Sequence, residues 1–432
     1  MSANVEEGGL GPAVAAVIPR DPTDPTGCPI ARDFDAFDQT DPYSMWAHLR
    51  ADDPVFLDER TGYWVVSRYD DVKAIFSDHE CFSSAVAHEP VRERGPAARK
   101  IMERGGFTAY SGLSARVPPD HTRLRRVVSK GFTTRRLAAI EPVIRGVTVR
   151  LAERMLAAPD RRADLVKALA EEIPVVTLLA LLGSHMGYDV ATVKRWSGAR
   201  AAMTWSDLSD EEQVPHAHAL VEYWQTCLAL VRDAHDNDRE TLVGDLVRAQ
   251  RDGDPITDHE IASVCYSLLF AGHETTTALL LNAFRLLLAD RAAWQRMVRD
   301  PALIPPAIDD VLRLSPSLVA WRRVATRATE VGGVRVPEGA RMLLLMGSAN
   351  RDDAHFPQPA ALDLTRRNAR DHLSFGFGIH YCLGARLAKL ESTIVVEEVA
   401  RRAPGLRLAE PAEMTFAPSL TVHAPHAVVV TW

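Results

Sequence analysis

"FGFGIHYCLG", residues 375–384, decides how the rest of this chain is read. Its ten residues hold three glycines, one histidine and one cysteine, and an apolar helical pattern follows at once. Leu383, Leu387, Leu390 and Ile394 recur at spacings of 4, 3 and 4. The spacing predicts a helix that begins at Cys382 and stops before Pro404-Gly405. A helix N-terminus presents unpaired N–H groups and the positive end of the helix dipole. Both favour the thiolate, the form of cysteine that binds metal. Gly376, Gly378 and Gly384 remove side-chain bulk, so the backbone can lie flat against something broad. His380, two residues upstream, is placed to donate to an anion.

Taken alone, a free cysteine is most often a small buried hydrophobe. A glycine-rich loop at a helix N-terminus can also cradle phosphate. Here no G-x-G-x-x-G follows a strand, and Phe375, Phe377 and Tyr381 add aromatic bulk. A zinc site from His372, His380 and Cys382 has an unusual spacing and lacks a fourth ligand. One thiolate against a flat, apolar, anionic disc fits best, which is haem with an axial cysteine.

The bulk numbers allow this. The chain has 432 residues, 47% hydrophobic and 25% charged, enough to enclose a bulky cofactor. Its net charge of −7 gives no overall bias toward nucleic acid. Five cysteines (Cys28, Cys81, Cys227, Cys265, Cys382) are odd in number and scattered, with no C-x-x-C pair. That excludes a disulfide framework and suggests a reducing cytoplasm. Neither a signal peptide nor an 18-residue apolar run is evident, so no membrane span is expected.

Residues 1–30 are rich in Gly, Pro and Asp and read as a flexible arm; 31–432 read as one domain. Helical periodicity runs through 136–156, 163–182, 187–203, 211–235, 258–289, 305–314 and 383–402. Strand-like pieces are short, at 62–69, 334–346 and 426–432. The fold class is therefore α+β, predominantly α-helical, with small peripheral sheets. Two connections look like lids: the long segment 86–119, and 204–211 with Trp205.

"TDHE" at 257–260 is a capping box opening a helix of roughly 32 residues to about Asp290. In its middle stands "AGHETTT", 271–277. Gly272 weakens the helix, and Thr275, Thr276 and Thr277 can bond back to the i−4 carbonyl. A local kink with solvated polar groups would explain this run. A helix so apolar on both sides should be buried, however, and a buried acid and hydroxyl need a purpose.

At this point the chain resembles the cytochrome P450 family. Phe375, Gly378, His380, Cys382 and Gly384 match its haem loop, F-x-x-G-x-[RH]-x-C-x-G, and "AGHETT" matches [AG]-G-x-[DE]-T-[TS]. The resemblance runs from about residue 34 to the end. "AWRRVAT" and "SANRDDAHF" look closest to haem domains of the self-sufficient class fused to a phthalate-dioxygenase-type reductase. The resemblance implies the P450 fold, with the long helix over haem b and Cys382 as its iron ligand. It places Ala271 and Gly272 at the groove for oxygen and lets Thr275 hydrogen-bond oxygen there. Glu274 relays protons through ordered water, and His273 is structural.

By the same resemblance Asp310-x-x-Arg313 in "DDVLR" is the ion pair that locks the loop region, with Asp where Glu is usual. The shorter side chain requires either a closer backbone or a looser network, and Asp309 points to another face. Two haem propionates imply cationic partners: His121 and Arg125 in "HTRLRR", Arg323 in "RRVAT", and His380. Phe375, Gly376 and Gly384 complete the haem contacts.

Residues 116–136 carry seven Arg or Lys and a single Asp120. This is either a solvated basic face or a docking patch for an acidic electron donor. "SLVAW" at 317–321 should offer Leu318, Val319 and Ala320 to the haem, which with Phe270 and Phe107 make an apolar pocket.

The expected activity is monooxygenation of a small apolar substrate, aromatic, aromatic ether or aliphatic. O₂ supplies the oxygen, and the outcome is hydroxylation or O-dealkylation. No flavin, nicotinamide or iron–sulfur motif is evident. Electrons are expected from separate partners of the ferredoxin and reductase kind, or from a fused reductase if the chain is an excised domain. A peroxide-driven or non-oxygenase haem-thiolate enzyme and a haem-binding sensor stay open, although a sensor needs no acid–alcohol pair.

Overall fold

Apolar stripes at helical spacing decide where the long helices pack. The computed structural model describes residues 33–109, 112–183, 189–237, 240–410 and 414–432. Trp196, Tyr223 and Trp224 anchor one core cluster, formed by helices Val190–Trp205, Asp210–Asp236 and Asp258–Ala271. A second cluster joins helices Glu274–Ala289, Ile304–Leu314 and Ala385–Arg402 through Phe284, Trp294 and Ile308. Two smaller clusters lie on the faces of a five-stranded sheet, running Val55–Asp58, Tyr63–Val66, Arg341–Leu344, Trp321–Ala325 and Phe82–Ser83. Its central pair is antiparallel, Arg323 facing Met342, while Val65 lies parallel to Leu343. The expected helix-dominated α+β class is the one found. The arm expected over 1–30 lies outside the described residues.

Several boundaries differ from the sequence reading. The run 334–346 is two strands, not one: Val334–Val336 pairs with Thr329–Val331, whereas Arg341–Leu344 joins the large sheet. Pro337 lacks an N–H for a ladder, and Gly339 turns the chain at φ +78°. The run 163–182 begins as a strand, Arg162–Asp164, that pairs with Val429–Thr431, and becomes α-helical only at Glu172–Leu182. Asp164 holds that start by accepting from the N–H groups of Val166 and Val428.

The helix after the cysteine starts at Ala385 with Gly384 as its cap, three residues later than expected. The central helix is interrupted: Asp258–Ala271 and Glu274–Ala289 flank Gly272 and His273. Its capping box is present, with Thr257 and Glu260 each bonding the other's backbone N–H. The segment 86–119 contains a helix, Pro96–Arg104, with proline in its first turn. The second connection is shorter than 204–211, because Trp205 still belongs to its helix and is buried. Among the described residues, no helix is long and apolar enough to cross a membrane.

Candidate active site

The loop Phe375–Gly384 is folded by its own backbone. The Cys382 N–H donates to Phe375 O at 2.9 Å, and Gly376 and Gly378 sit at φ +68° and +71°. A Cβ on Gly378 would stand 2.6 Å from Phe76 O, so only glycine fits there. A Cβ on Gly376 would meet no protein atom within 4 Å, because that residue borders a cavity. Cys382 is exposed by area yet deeply enclosed, since its open face is the cavity and not the outer surface. Burial pushes its thiol up, while the amides of Gly384 and Ala385 and the Arg125 guanidinium act in the opposite sense. Those amides belong to the helix start, so the helix end does face the sulfur although Cys382 precedes it.

The cavity holds about 1710 Å³ of empty space, its mouth included. Opposite the cysteine loop its wall is the interrupted helix, through Phe270, Ala271, Gly272, Thr275 and Thr276. The interruption has a local cause. Thr275 Oγ1 donates to Ala271 O at 2.5 Å and Thr276 Oγ1 to Gly272 O at 2.9 Å. Hydroxyls that bond the i−4 carbonyl bend a helix, and glycine lowers its resistance. Thr277 instead bonds Ala170 O, and Ser317 Oγ donates to Thr275 O at 2.6 Å.

Glu274 does not line the cavity. Its carboxylate lies 3.6 Å from Lys194 Nζ and 3.3 Å from His273 Nε2. His273 is fully buried, with Nδ1 at 3.2 Å from Ser197 Oγ, as a structural residue should be.

Of the four expected propionate partners, Arg125, Arg323 and His380 line the cavity, and His121 stands behind them against His380. Arg323 is buried and among the described residues has no carboxylate in ion-pairing range. Its Nη1 donates to Arg322 O, and burial pulls its pKa down to about 10. His121 is buried with neither ring nitrogen partnered among the described residues, and its ring centre lies 4.2 Å from that of His380. His380 meets Arg116 O at 2.8 Å and Ser84 Oγ at 3.2 Å, and Arg125 donates to Tyr381 O at 2.7 Å. Burial pulls His121 to about 4 and His380 to about 3. A buried cation and an orphaned imidazole are costly without an anion or water beside them.

The Asp310–Arg313 pair answers the question its short side chain raised. Both residues are fully buried, and Arg313 Nε reaches Asp310 Oδ1 at 2.6 Å. The remaining Arg313 donors meet Asn350 O, Pro359 O, Ala361 O and Asp310 Oδ2. Asp310 also accepts from Arg366 Nε and the Asp363 N–H. All five guanidinium donors are used, so the network is tight. Asp309 faces elsewhere, toward Lys389 and Arg370.

Three pocket residues need correction. Val319 and Ala320 do not line the cavity; they are buried in the core beside Trp46 and Phe34, with the Val319 N–H tied to Thr421 O. Leu318 and Trp321 face the cavity instead. Phe107 packs edge-on against Trp224 and Tyr266 in the helical core. Phe270 does line the cavity, as expected. Sequence reading missed His88, Ser114, Arg200 and Trp321 as wall residues. A signal existed for Arg200: it falls on the buried face of its helix, in register with Val193, Trp196 and Met203.

The cytochrome P450 family model matches residues 302–402. The cytochrome P450 monooxygenase PikC of Streptomyces venezuelae is 32% identical over 416 residues, covering 94% of this chain and 95% of that protein. Among solved structures, cytochrome P450 CREJ in complex with (4-ethylphenyl) dihydrogen phosphate is 54% identical, with a TM-score of 0.91 over 93% of this chain and 100% of that one. An intact type IV self-sufficient cytochrome P450 monooxygenase is 36% identical, with a TM-score of 0.89 over 94% of this chain and 54% of that one. Given near-complete coverage of this chain by these relatives, and a cysteine loop and an interrupted helix that line one cavity, the chain belongs to the cytochrome P450 family, the haem-b monooxygenases.

Proposed function

We propose that this monooxygenase inserts one oxygen atom into a C–H bond of a small alkyl-substituted aromatic compound, and that the Cys382 sulfur would hold haem b. One observation carries the reading: one cavity brings Cys382, Thr275 and an apolar lining of Leu178, Leu268, Phe270, Leu318 and Trp321 together. The residues fit haem. The sulfur opens on the cavity, Gly376 leaves room above the loop, and Arg323 and His121 are buried polar groups in want of an anion. Arg125, Arg323, His121 and His380 would hold the propionates, with Phe375, Gly384 and Ala271 against the ring. When bound, haem b supplies O₂ activation and the oxidising chemistry itself.

The chain's own residues do the rest. Cys382 provides an anionic sulfur, stabilised by the amides at the helix start. Apolar side chains hold the substrate and exclude water. Thr275 gives up its bond to Ala271 O to hold a proton toward the reacting oxygen. Glu274 stands behind it on the Lys194 side, and carries protons inward by swinging away from that lysine. Electrons come from a separate redox protein or from a reductase fused to this domain. Where the attacked C–H lies next to an ether oxygen, the product loses its alkyl group.

CREJ's ligand, (4-ethylphenyl) dihydrogen phosphate, supports the alkylphenyl class. Absorbance titration of the holoenzyme with 4-ethylphenyl phosphate, 4-ethylphenol, ethylbenzene and a linear alkane tests the substrate. An aromatic probe should convert low-spin to high-spin haem and yield an oxygenated product. A shift with the alkane alone removes the aromatic reading.

A further inference from the structure

We infer that the cavity has a polar end, built by Arg200, Trp205, His88 and Ser114, that binds the anionic head of the substrate as a phosphomonoester. This rests on the reading of the cavity as the substrate pocket.

Arg200 is the first reason. Its side chain is only 5% exposed, yet it lines the cavity, and among the described residues no carboxylate pairs with it. Among the described residues its hydrogen bond is from Nη1 to Tyr266 O at 2.6 Å. The guanidinium lies over the Tyr266 and Phe270 rings, at 4.4 and 5.0 Å from their centres. Those contacts position the group but leave most of its five N–H donors unused. A buried cation without a counter-charge is expensive, and a bound anion removes the expense.

The neighbours are donors as well. The indole Nε1 of Trp205 is buried in the cavity lining with no partner among the described residues, and an indole N–H can only donate. His88 meets Ser114 Oγ at 2.6 Å with one ring nitrogen, while Nδ1 is buried and unpartnered among the described residues. Burial, then the nearby Arg200 and Arg322, hold His88 well below its usual pKa, so it is a neutral hydrogen-bonding group. Ser267 Oγ accepts from the Gly112 N–H at 2.7 Å and keeps its own proton to donate. A fixed cation, an orphaned indole N–H and hydroxyls on one wall match a ligand that mainly accepts. A phosphate ester, with three charged or polar oxygens, is such a ligand.

Placement gives the site its consequence. Trp205 and Arg200 both pack on Phe270, at 5.2 Å ring to ring and 5.0 Å from the guanidinium. Phe270 precedes Thr275 by five residues, roughly 7.5 Å along a helix axis. An aryl ring with its phosphate beside Arg200 therefore spans toward Thr275 and Cys382 with its far substituent leading. The anion sets the regiochemistry: the alkyl group para to the phosphate is oxidised.

The test compares ligands on the holoenzyme by the spin-state titration. Wild type should bind 4-ethylphenyl phosphate at least about tenfold tighter than 4-ethylphenol, as expected for hydrogen bonds to a charged group. Inorganic phosphate should compete with the ester and not with the phenol. Arg200→Gln should lower the ester-to-phenol affinity ratio by roughly 10- to 100-fold. Trp205→Phe keeps the ring, removes one donor, and should lower the ratio by about threefold to tenfold. Equal wild-type affinities, or variants that weaken both ligands alike, overturn the site. If 4-ethylphenol is bound and oxidised while the ester is inert, the anion site alone falls. If neither aromatic compound shifts a haem-loaded enzyme, the substrate reading above falls first.

Discussion

On the proposed reading Cys382 and Thr275 carry the chemistry, and each makes a separate prediction. Replacing Cys382 by serine keeps the loop hydrogen bond from residue 382 to Phe375 O but removes the soft anionic ligand. The ferrous–CO spectrum of Cys382→Ser should lose its thiolate signature; an unchanged spectrum would put the sulfur elsewhere. The Thr275 hydroxyl rests on Ala271 O, one turn back, and must leave that bond to serve the proposed proton role. Thr275→Ala should therefore lower product formed per electron pair by roughly tenfold or more, with peroxide released instead. Thr275→Ser should restore most of the coupling. Coupling that survives in the alanine variant would remove the proton role. Glu274 shows the limit of reading a residue by its motif. The sequence put an acid beside the alcohol, but its carboxylate lies toward Lys194, behind the cavity wall.

Elements constrain the site through what they bury. Asp310 and Arg313 tie helix Ile304–Leu314 to the segments around Asn350, Pro359 and Asp363. Removing one partner leaves an uncompensated buried charge, so Asp310→Ala should cost about 3–5 kcal/mol and reduce haem retention. Asp310→Glu should cost about 1–3 kcal/mol, because an added methylene has no room where the network is already closed. Thermal unfolding of both variants distinguishes them; a more stable glutamate variant would mean the short side chain leaves slack. In helix Ala385–Arg402, Glu391 is buried with one carboxylate oxygen unpartnered, and burial pushes its pKa up to about 8. A carboxyl group raised this way stays protonated in the fold when the unfolded chain has released its proton. The stability it permits is full below pH about 4.5 and is lost as pH rises toward 8. Glu391→Gln should abolish that loss, and be more stable than the parent at pH 8 by on the order of 1 kcal/mol or more. Parallel melting curves from pH 5 to pH 8 for both proteins would refute it.

At the scale of the whole molecule, the basic run 116–136 is largely spent internally. Arg116 and Arg123 pair with Asp120 and Glu260, Lys130 with Asp254, and Arg136 with Asp245. Arg126 and Arg135 remain exposed with no ion pair among the described residues. A docking patch for an acidic electron donor therefore reduces to these two. Arg126→Glu with Arg135→Glu should slow reduction by such a donor roughly tenfold at low salt and lose that effect at high salt. Stopped-flow reduction at two ionic strengths decides it. What the sequence determined by itself was whatever depends on neighbours along the chain. The haem loop needs glycine at set backbone angles beside a cysteine, the capping box needs Thr257 and Glu260 three apart, and Asp310 meets Arg313 across one turn. Short-range geometry fixes all of these. Tertiary structure alone decided which way side chains face and where a pattern is cut. Val319 and Ala320 turn into the core because a distant carbonyl, Thr421 O, holds their backbone. The run 163–182 opens as a strand because the C-terminal strand pairs with it. The proposed anion-binding wall gathers His88, Ser114, Arg200 and Trp205 from segments far apart in the chain, and no spacing rule reaches across such distances.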